Sequence, residues 1–168
     1  MITPNWVLSV LFWLHMIATV TWIGGLAILS LIIYPIAKKT LDNDAFNNLI
    51  YKINKKLNPL GWFGLSVLTV TGLIQMSANP NYEGFLSIKN IWSGAMLAKH
   101  SAFILIIAIS AYQTWTLSPE LERVAIRRQK GLESPNSKKL QLKEKNIILI
   151  NLSLGILVLL LTAIARIS

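Results

Sequence analysis

Cysteine is absent from the 168 residues, and charged side chains make up only 14% of them. The lack of cysteine excludes disulfides, thiolate metal ligands and cysteine nucleophiles. The low charge argues against a water-soluble domain, in which about a quarter of the residues are charged. Hydrophobic residues make up 54% of the chain, and the mean hydropathy is +0.55. The composition therefore indicates a membrane protein, and it excludes soluble nucleotide-binding enzymes, nucleic-acid-binding modules and disordered chains.

Four largely apolar segments are each long enough to cross the hydrocarbon core as a helix, which takes about 20 residues. They run over residues 6–36, 60–78, 91–117 and 147–167. Backbone polar groups in lipid must be satisfied within their own segment, so each segment is predicted to be a helix. We therefore predict an all-α integral membrane protein, a bundle of four transmembrane helices forming a single domain over residues 1–168.

The basic residues are distributed unevenly along the chain. Thirteen of the sixteen lysines and arginines lie in residues 38–56 and 123–145, which join the first span to the second and the third to the fourth. Cytoplasmic loops carry such an excess, so both termini are predicted to lie outside. The net charge of +9 then reflects membrane topology and attraction to anionic lipid, and not nucleic-acid binding. We predict a multi-pass protein of the cell membrane whose first partner is the lipid bilayer.

The first basic segment has a helical pattern of its own. An apolar residue recurs at every fourth position from Leu41 to Leu57, and Thr40 stands where an N-cap is expected. This pattern predicts a short, separate amphipathic helix on the cytoplasmic membrane surface, with its lysines towards the lipid headgroups.

The two histidines of the chain, His15 and His100, both lie inside predicted spans. The first and third spans run in the same direction, and each begins with a tryptophan, Trp6 or Trp92, a residue that favours the membrane interface. His15 is nine residues past the first tryptophan and His100 eight past the second, which corresponds to depths of ~13.5 and ~12 Å. The two imidazoles can therefore face each other across the bundle.

Imidazole nitrogens are ligands for haem iron and for other metals, and helical bundles commonly hold cofactors on facing helices. Trp22 lies on the same side of its helix as His15, and Gly25 allows the close approach of a helix or a flat ring. The chain has no cysteine for covalent attachment, so the haem would be of the b type. We predict that His15 and His100 bind the haem iron, with Trp22 and Gly25 beside it.

Lys99 is the one charged residue deep within a predicted span, and a lysine at that depth costs ~2.5–3.5 kcal/mol on insertion scales. A structural interpretation places its ammonium group among the hydroxyls of Ser66, Thr69 or Thr71. A functional interpretation pairs it with a haem propionate or gives it a part in proton transfer. Both stay open, and the second includes Lys99 among the cofactor-binding residues.

Copper is the alternative ligand for the same histidines. Met96 precedes His100 by four residues and shares its helix face, and imidazole and thioether groups suit Cu(I). The alternative metal site consists of His15, Met96 and His100.

Two stretches of the sequence resemble a known family. The stretch from Leu14 to Gly25, LHMIATVTWIGG, is similar to the first helix of the copper-resistance D (CopD) family. It also resembles the His-(x)6-Trp-x-(Ala/Gly)-Gly signature of the related HemJ-type protoporphyrinogen oxidases. Trp92, residues 98–100 and Tyr112 resemble the third helix of these families, where a lysine recurs. By position, His15 matches the family histidine and Lys99 the family lysine.

The resemblance implies a four-helix membrane domain and two activities. CopD-type proteins are associated with copper movement across the inner membrane, and HemJ-type proteins bind b-type haem and oxidise protoporphyrinogen IX. Three functions therefore stay open for this chain. They are electron transfer through one b-type haem, in a membrane redox complex or a homo-oligomer; copper transport or handling; and porphyrinogen oxidation with Lys99 steering the substrate carboxylates. No motif of a stand-alone enzyme is present, so a haem- or copper-binding subunit is the leading interpretation.

Overall fold

The computed structural model describes residues 4–82, 84–85, 88–130, 132 and 136–167, and every regular element in this part of the chain is helical. Four continuous helical rods are long and apolar enough to cross a membrane: Asn5–Thr40, Asn43–Ser77, Ile91–Arg128 and Ser137–Ile167. The prediction of an all-α, multi-pass membrane protein with four spans is therefore confirmed.

The rods consist of α-helices and two π-helical segments. In chain order these are α1 (Asn5–Ala27), a first π segment (Ile28–Ile33), α2 (Tyr34–Thr40), α3 (Asn43–Ser77), α4 (Ile91–Tyr112), a second π segment (Gln113–Leu117), α5 (Ser118–Gln129) and α6 (Ser137–Ile167). Each helix extends beyond the predicted span at the end that the lysines and arginines predict to be cytoplasmic, because the polar residues beyond the hydrocarbon stay helical. These extensions form a helical layer on the cytoplasmic side.

Each π-helical segment comes just before a proline in the first turn of the next helix, Pro35 in α2 and Pro119 in α5. Proline lacks an amide hydrogen, and its ring crowds the carbonyl group four residues earlier. These carbonyls belong to Leu31 and Trp115, which lie within the two π segments. The wider turn accommodates the proline without breaking the rod, so the first and third spans continue past the membrane as single rods.

The predicted cytoplasmic helix is present, but it forms the first part of α3 instead of a separate element, and the prediction that Thr40 caps it is wrong. The Asp42 carboxylate is the cap instead, accepting hydrogen bonds from the backbone N–H groups of Asp44 and Ala45 at 2.9 and 2.8 Å. The Thr40 hydroxyl donates to the carbonyl of Ile36. From this cap, α3 continues without interruption through Pro59 into the second span.

The apolar residues that recur at every fourth position do not form the buried face of this segment. Leu41, Ala45 and Leu49 are exposed. Phe46 and Ile50 are buried instead, against Tyr34 and Ala37 of α2, and the Tyr34 and Phe46 rings meet edge to face at 5.1 Å. The first part of α3 therefore packs on α2 through a different face from the one that the sequence pattern indicated.

The bundle is built from two close helix pairs, α1 with α3 and α4 with α6, and α1 also contacts α6. A buried cluster of Met76, Trp92, Ala95 and Ala165 closes the outer end. On the cytoplasmic side, α3 packs against α5. Between these two ends lie cavities between the four rods, and the candidate site lies in one of them.

Candidate functional site

A cavity of about 500 Å³ lies between α1, α3, α4 and α6 in the outer half of the bundle, and we call it the outer cavity. Its walls are mostly aliphatic and aromatic side chains. His15 enters it from α1 and His100 from α4, so the structure brings the two histidines to one space. Lys99 also lines this cavity.

The ring of His15 is fixed by a hydroxyl on the neighbouring helix. Its Nδ1 lies 2.7 Å from the Oγ1 atom of Thr71, which is itself buried on α3. The Thr71 hydroxyl donates its own proton to the carbonyl of Val67 at 2.6 Å. Thr71 Oγ1 must therefore accept a hydrogen bond from His15 Nδ1–H, so the neutral ring has a free lone pair on Nε2.

His100 is fixed in the same tautomer by its own helix. Its Nδ1 lies 2.7 Å from the carbonyl oxygen of Met96, which can only accept, so Nδ1–H donates and Nε2 keeps its lone pair. The Phe85 ring packs edge to face on the imidazole, with centroids 5.3 Å apart.

Both histidines thus have the arrangement that metal-binding histidines normally have. In such sites one ring nitrogen binds the metal while the other donates its hydrogen to a carbonyl, carboxylate or similar acceptor. The partners here are Thr71 Oγ1 and the Met96 carbonyl. The sequence could identify the two histidines but not these acceptors, because Thr71 lies 56 positions from His15 along the chain.

A glycine on α3 makes room for the His15 ring. A Cβ atom at Gly72 would stand 3.4 Å from His15 Cε1, which is the near limit of ordinary van der Waals contact. Gly72 also lines the outer cavity. Sequence reasoning did not single out this glycine, because its role appears only once α1 and α3 are packed together.

Lys99 shares the outer cavity with the histidines, and the three hydroxyls considered as its partners are engaged elsewhere. Ser66, Thr69 and Thr71 each donate to a carbonyl one turn earlier in α3. No hydrogen bond among the described residues involves the Lys99 ammonium group. This arrangement leaves the cation of Lys99 available to a ligand in the cavity.

The methionines lie in different places. The side chain of Met96 packs against the buried cluster at the outer end, and Met96 is not among the residues that line the outer cavity. Met16 does line that cavity, from the same helix as His15. The thioether that shares a space with both imidazoles is therefore that of Met16.

Trp22 separates the outer cavity from a smaller one of about 120 Å³, which we call the middle cavity, and its side chain lines both. Its indole packs against two glycines, Gly64 of α3 and Gly155 of α6, and a Cβ at Gly155 would stand 3.2 Å from Trp22 Cζ3. Gly25 lines the middle cavity and not the outer one. The structure therefore places Trp22 at the outer cavity and Gly25 beyond the indole.

Buried polar residues on the cytoplasmic side were missed by the sequence reasoning. The carboxyl group of Glu144 and the amide of Asn54 are 3% and 6% exposed, and the Asn54 amide donates to the Glu144 carboxylate. Glu144 stands among lysines in the sequence, which made it look like part of a solvated basic loop. The available signal was helical spacing. Glu144 lies three, four and seven residues before Ile147, Ile148 and Asn151, so it stands on the same buried face of α6.

Within the described part of the chain, no group of three or more histidine, aspartate or glutamate side chains is placed to hold a metal ion. The outer cavity is lined by the two imidazoles and by Met16.

Comparison with protein families matches residues 52–165 to the family described as copper resistance protein D (CopD). This match covers more than half of the chain. It includes Lys99 and His100 and begins after His15 and Trp22. Searches of curated proteins and of solved structures gave no match.

Proposed function

The chain belongs to the copper resistance protein D (CopD) family, a family of membrane proteins linked to copper resistance, and we propose a specific role for this member. In this proposal the bundle holds one b-type haem between His15 and His100 and serves in electron transfer. The electron partner is another subunit of a membrane redox complex or a second copy of the chain.

The pair of imidazoles carries this proposal. Each has Nδ1–H committed to an acceptor and a free lone pair on Nε2, and both line one cavity. Neutral imidazole is the usual axial ligand of b-type haem. A ring held by a hydrogen bond on its far nitrogen is also already oriented, so binding costs less conformational entropy.

The size and the walls of the outer cavity support a flat, largely apolar ligand. Its volume of about 500 Å³ falls within the range of cofactor pockets, roughly 300–1,000 Å³, which are lined mainly by apolar side chains with a few polar groups. Lys99 supplies one cation in these apolar walls, which suits a propionate carboxylate.

A bound haem would supply reversible one-electron chemistry. The residues of this chain would hold and orient it: His15 and His100 would bind the iron through their Nε2 atoms. Phe103 and Ile107 help to line the cavity and exclude water from it. A dry site with two protein ligands favours electron transfer over substrate turnover.

Copper handling is the second candidate, and the family match favours it. Copper would then be the transported substrate, and imidazole and thioether groups are suitable ligands for Cu(I). Met16 lines the outer cavity together with His15 and His100, which supports Met16 as the thioether ligand of this proposal beside the Met96 that the sequence suggested.

The absorption spectrum and the metal content of the purified protein test these proposals together. We expect an intense Soret band that sharpens on reduction, and its loss in His15→Ala and in His100→Ala. Ser101→Ala is the matched control, because Ser101 is next to His100 but is exposed on the outside of the bundle. An unchanged spectrum in both histidine variants would refute the haem proposal.

Other outcomes point to the alternatives. Stoichiometric copper without pigment supports copper handling, and its loss in Met16→Leu would identify the thioether ligand. Growth of a protoporphyrinogen oxidase-deficient strain on expression of this chain would support porphyrinogen oxidation instead.

A further inference from the structure

A third cavity, of about 340 Å³, lies among the cytoplasmic extensions of α3, α5 and α6, and we call it the cytoplasmic cavity. Its walls are rich in amides, hydroxyls and carboxyl groups. Glu144 is the most deeply buried acid there, and its one hydrogen bond among the described residues comes from Asn54. No arginine or lysine forms an ion pair with it in this part of the chain.

The other titratable groups around Glu144 do not neutralise it. The hydroxyl of Tyr34, on α2, donates to the backbone carbonyl of Gln141. Tyr51 donates to the Glu122 carboxylate across the cavity, and Lys55 donates to the Tyr51 hydroxyl. Among the described residues, Glu144 is therefore a buried carboxyl group whose one hydrogen bond comes from an amide.

The cytoplasmic cavity and the middle cavity are direct neighbours. The two share Asn54, Asn58, Trp62 and Thr114 as wall residues. Beyond these lies the middle cavity with Ser110, Gln113 and Asn151, and it ends at Trp22. A line of polar side chains thus runs from the cytoplasmic layer to the centre of the bundle.

Two buried side-chain atoms of the described residues lack a hydrogen-bond partner, and each belongs to one of these cavities. They are Asn47 Nδ2 on the cytoplasmic cavity and Asn151 Oδ1 on the middle cavity. Asn151 is 1% exposed, and its amide nitrogen reaches only Ser110 Oγ at 3.3 Å. An unpaired buried polar atom is costly unless water supplies its partner.

The middle cavity has the volume and the polarity to hold that water. A cavity holds a water molecule when it is roomy enough for one and offers two to four polar partners. At about 120 Å³ the middle cavity has room for several, and its amide and hydroxyl groups can bond them. The outer cavity lacks such a lining, so the water stops at the Trp22 indole.

We propose that the cytoplasmic and middle cavities form one water-filled passage that brings water and protons from the cytoplasm to Trp22, with Glu144 as the entry group. A proton passes from cytoplasmic water to the Glu144 carboxylate and on along the water molecules held by the amides. Ionisable residues buried within membrane bundles commonly belong to proton relays, and here the amides would hold the water molecules that carry the proton onward. The proposal does not depend on which ligand the outer cavity binds.

The absence of native cysteine makes the passage directly testable. Thr114 and Ser110 are each replaced by cysteine in the full chain, and a charged, membrane-impermeant methanethiosulfonate is added to inverted or right-side-out vesicles. A thiol reacts as the thiolate, which forms in water and not in apolar surroundings. The matched control is Ser153→Cys, since Ser153 lies two residues from Asn151 but is exposed on the outside of the bundle.

We expect Thr114→Cys and Ser110→Cys to react at least tenfold faster than Ser153→Cys, and only from the cytoplasmic side. Adding Asn151→Leu to Ser110→Cys should slow its labelling to the control rate, because leucine fills and dries the middle cavity. Equal labelling of Ser110→Cys and Ser153→Cys, with Thr114→Cys no faster, would overturn the proposal. Labelling of Ser110→Cys from the outside would overturn it as well.

Discussion

The outer cavity and the cytoplasmic cavity use opposite means to hold polar chemistry inside one small bundle. In the outer cavity, two imidazoles and one ammonium group stand in mostly apolar walls. In the cytoplasmic cavity, one carboxyl group stands among amides and hydroxyls that can bind water. The first arrangement suits a bound ligand that replaces water, and the second suits water itself. The indole of Trp22 marks where one gives way to the other.

The largest effect is expected on stability, from removing the hydrogen-bond donor of Glu144 in the cytoplasmic cavity. Asn54→Leu leaves a buried carboxylate without its partner, and we expect it to lower the free energy of unfolding by about 2–3 kcal/mol. Chemical unfolding in detergent measures this. The double variant Asn54→Leu/Glu144→Leu should recover much of the loss, because both polar groups are then gone. A double variant as unstable as the sum of the two single variants would contradict a coupled pair.

A change on the outer side should alter ligand binding and leave the cytoplasmic cavity intact. Thr71→Val removes the acceptor of His15 Nδ1–H, and loss of such a partner typically costs 10–100-fold in metal affinity. Titration of the apoprotein with haem measures the dissociation constant. Thr71→Ser keeps the hydroxyl and is the control, which should bind like the native chain. Equal affinity of the valine and serine variants would show that this hydrogen bond does not matter.

A third experiment asks whether the two cavities communicate, and it rests on both proposals. If reduction at the outer site draws a proton through the passage, the reduction potential should fall by up to about 59 mV per pH unit. Spectroelectrochemical titration at several pH values measures the slope. Glu144→Gln should flatten it, while Glu122→Gln, which changes a carboxyl group of the same cavity, should not. A steep slope that persists in Glu144→Gln would show that reduction at the outer site does not draw its proton through Glu144.

The smallest effect is expected outside both cavities. Asp44 pairs with Arg128 at 2.6 Å, but its side chain is 69% exposed. Surface ion pairs contribute about 0–1 kcal/mol, and salt screens them. Asp44→Asn should therefore change the free energy of unfolding by less than about 0.5 kcal/mol. A larger change would mean that the cytoplasmic layer holds the cavities in place more firmly than its packing indicates.

The sequence predicted most of the architecture, because the constraint that lipid imposes on the backbone is local. Each span is apolar and long, and each can be read from its own residues. The shared cavity of His15 and His100 could also be predicted, since depth along a helix follows from counting residues. The position of Met96 could not be predicted, because sharing a helix face with His100 does not decide which side chain enters the cavity and which packs at the outer end.

The cytoplasmic half was harder to predict for a physical reason. Its polar groups become buried only when three helices meet, and the lysines around Glu144 obscure the helical spacing that puts it on the same face of α6 as Ile147 and Asn151. The same holds for Asp42, whose capping role depends on where α2 ends. Thr40 and Asp42 are both favourable N-cap residues, and the path of the backbone after α2 determines that Asp42 caps α3.

The π-helical segments before Pro35 and Pro119 also set the rotational phase of the two parallel rods. An extra residue in a helical turn rotates everything beyond it by about 100°. The side chains of α2 and α5 are therefore rotated relative to the helical phase of α1 and α4. A helical-wheel projection drawn through either whole rod would misplace Tyr34 or Leu117. Deleting one residue from Ile28–Ile33 would restore a regular helix and swing the Tyr34 ring away from Phe46. In this bundle, an irregular turn is what keeps the cytoplasmic layer in register with the membrane layer.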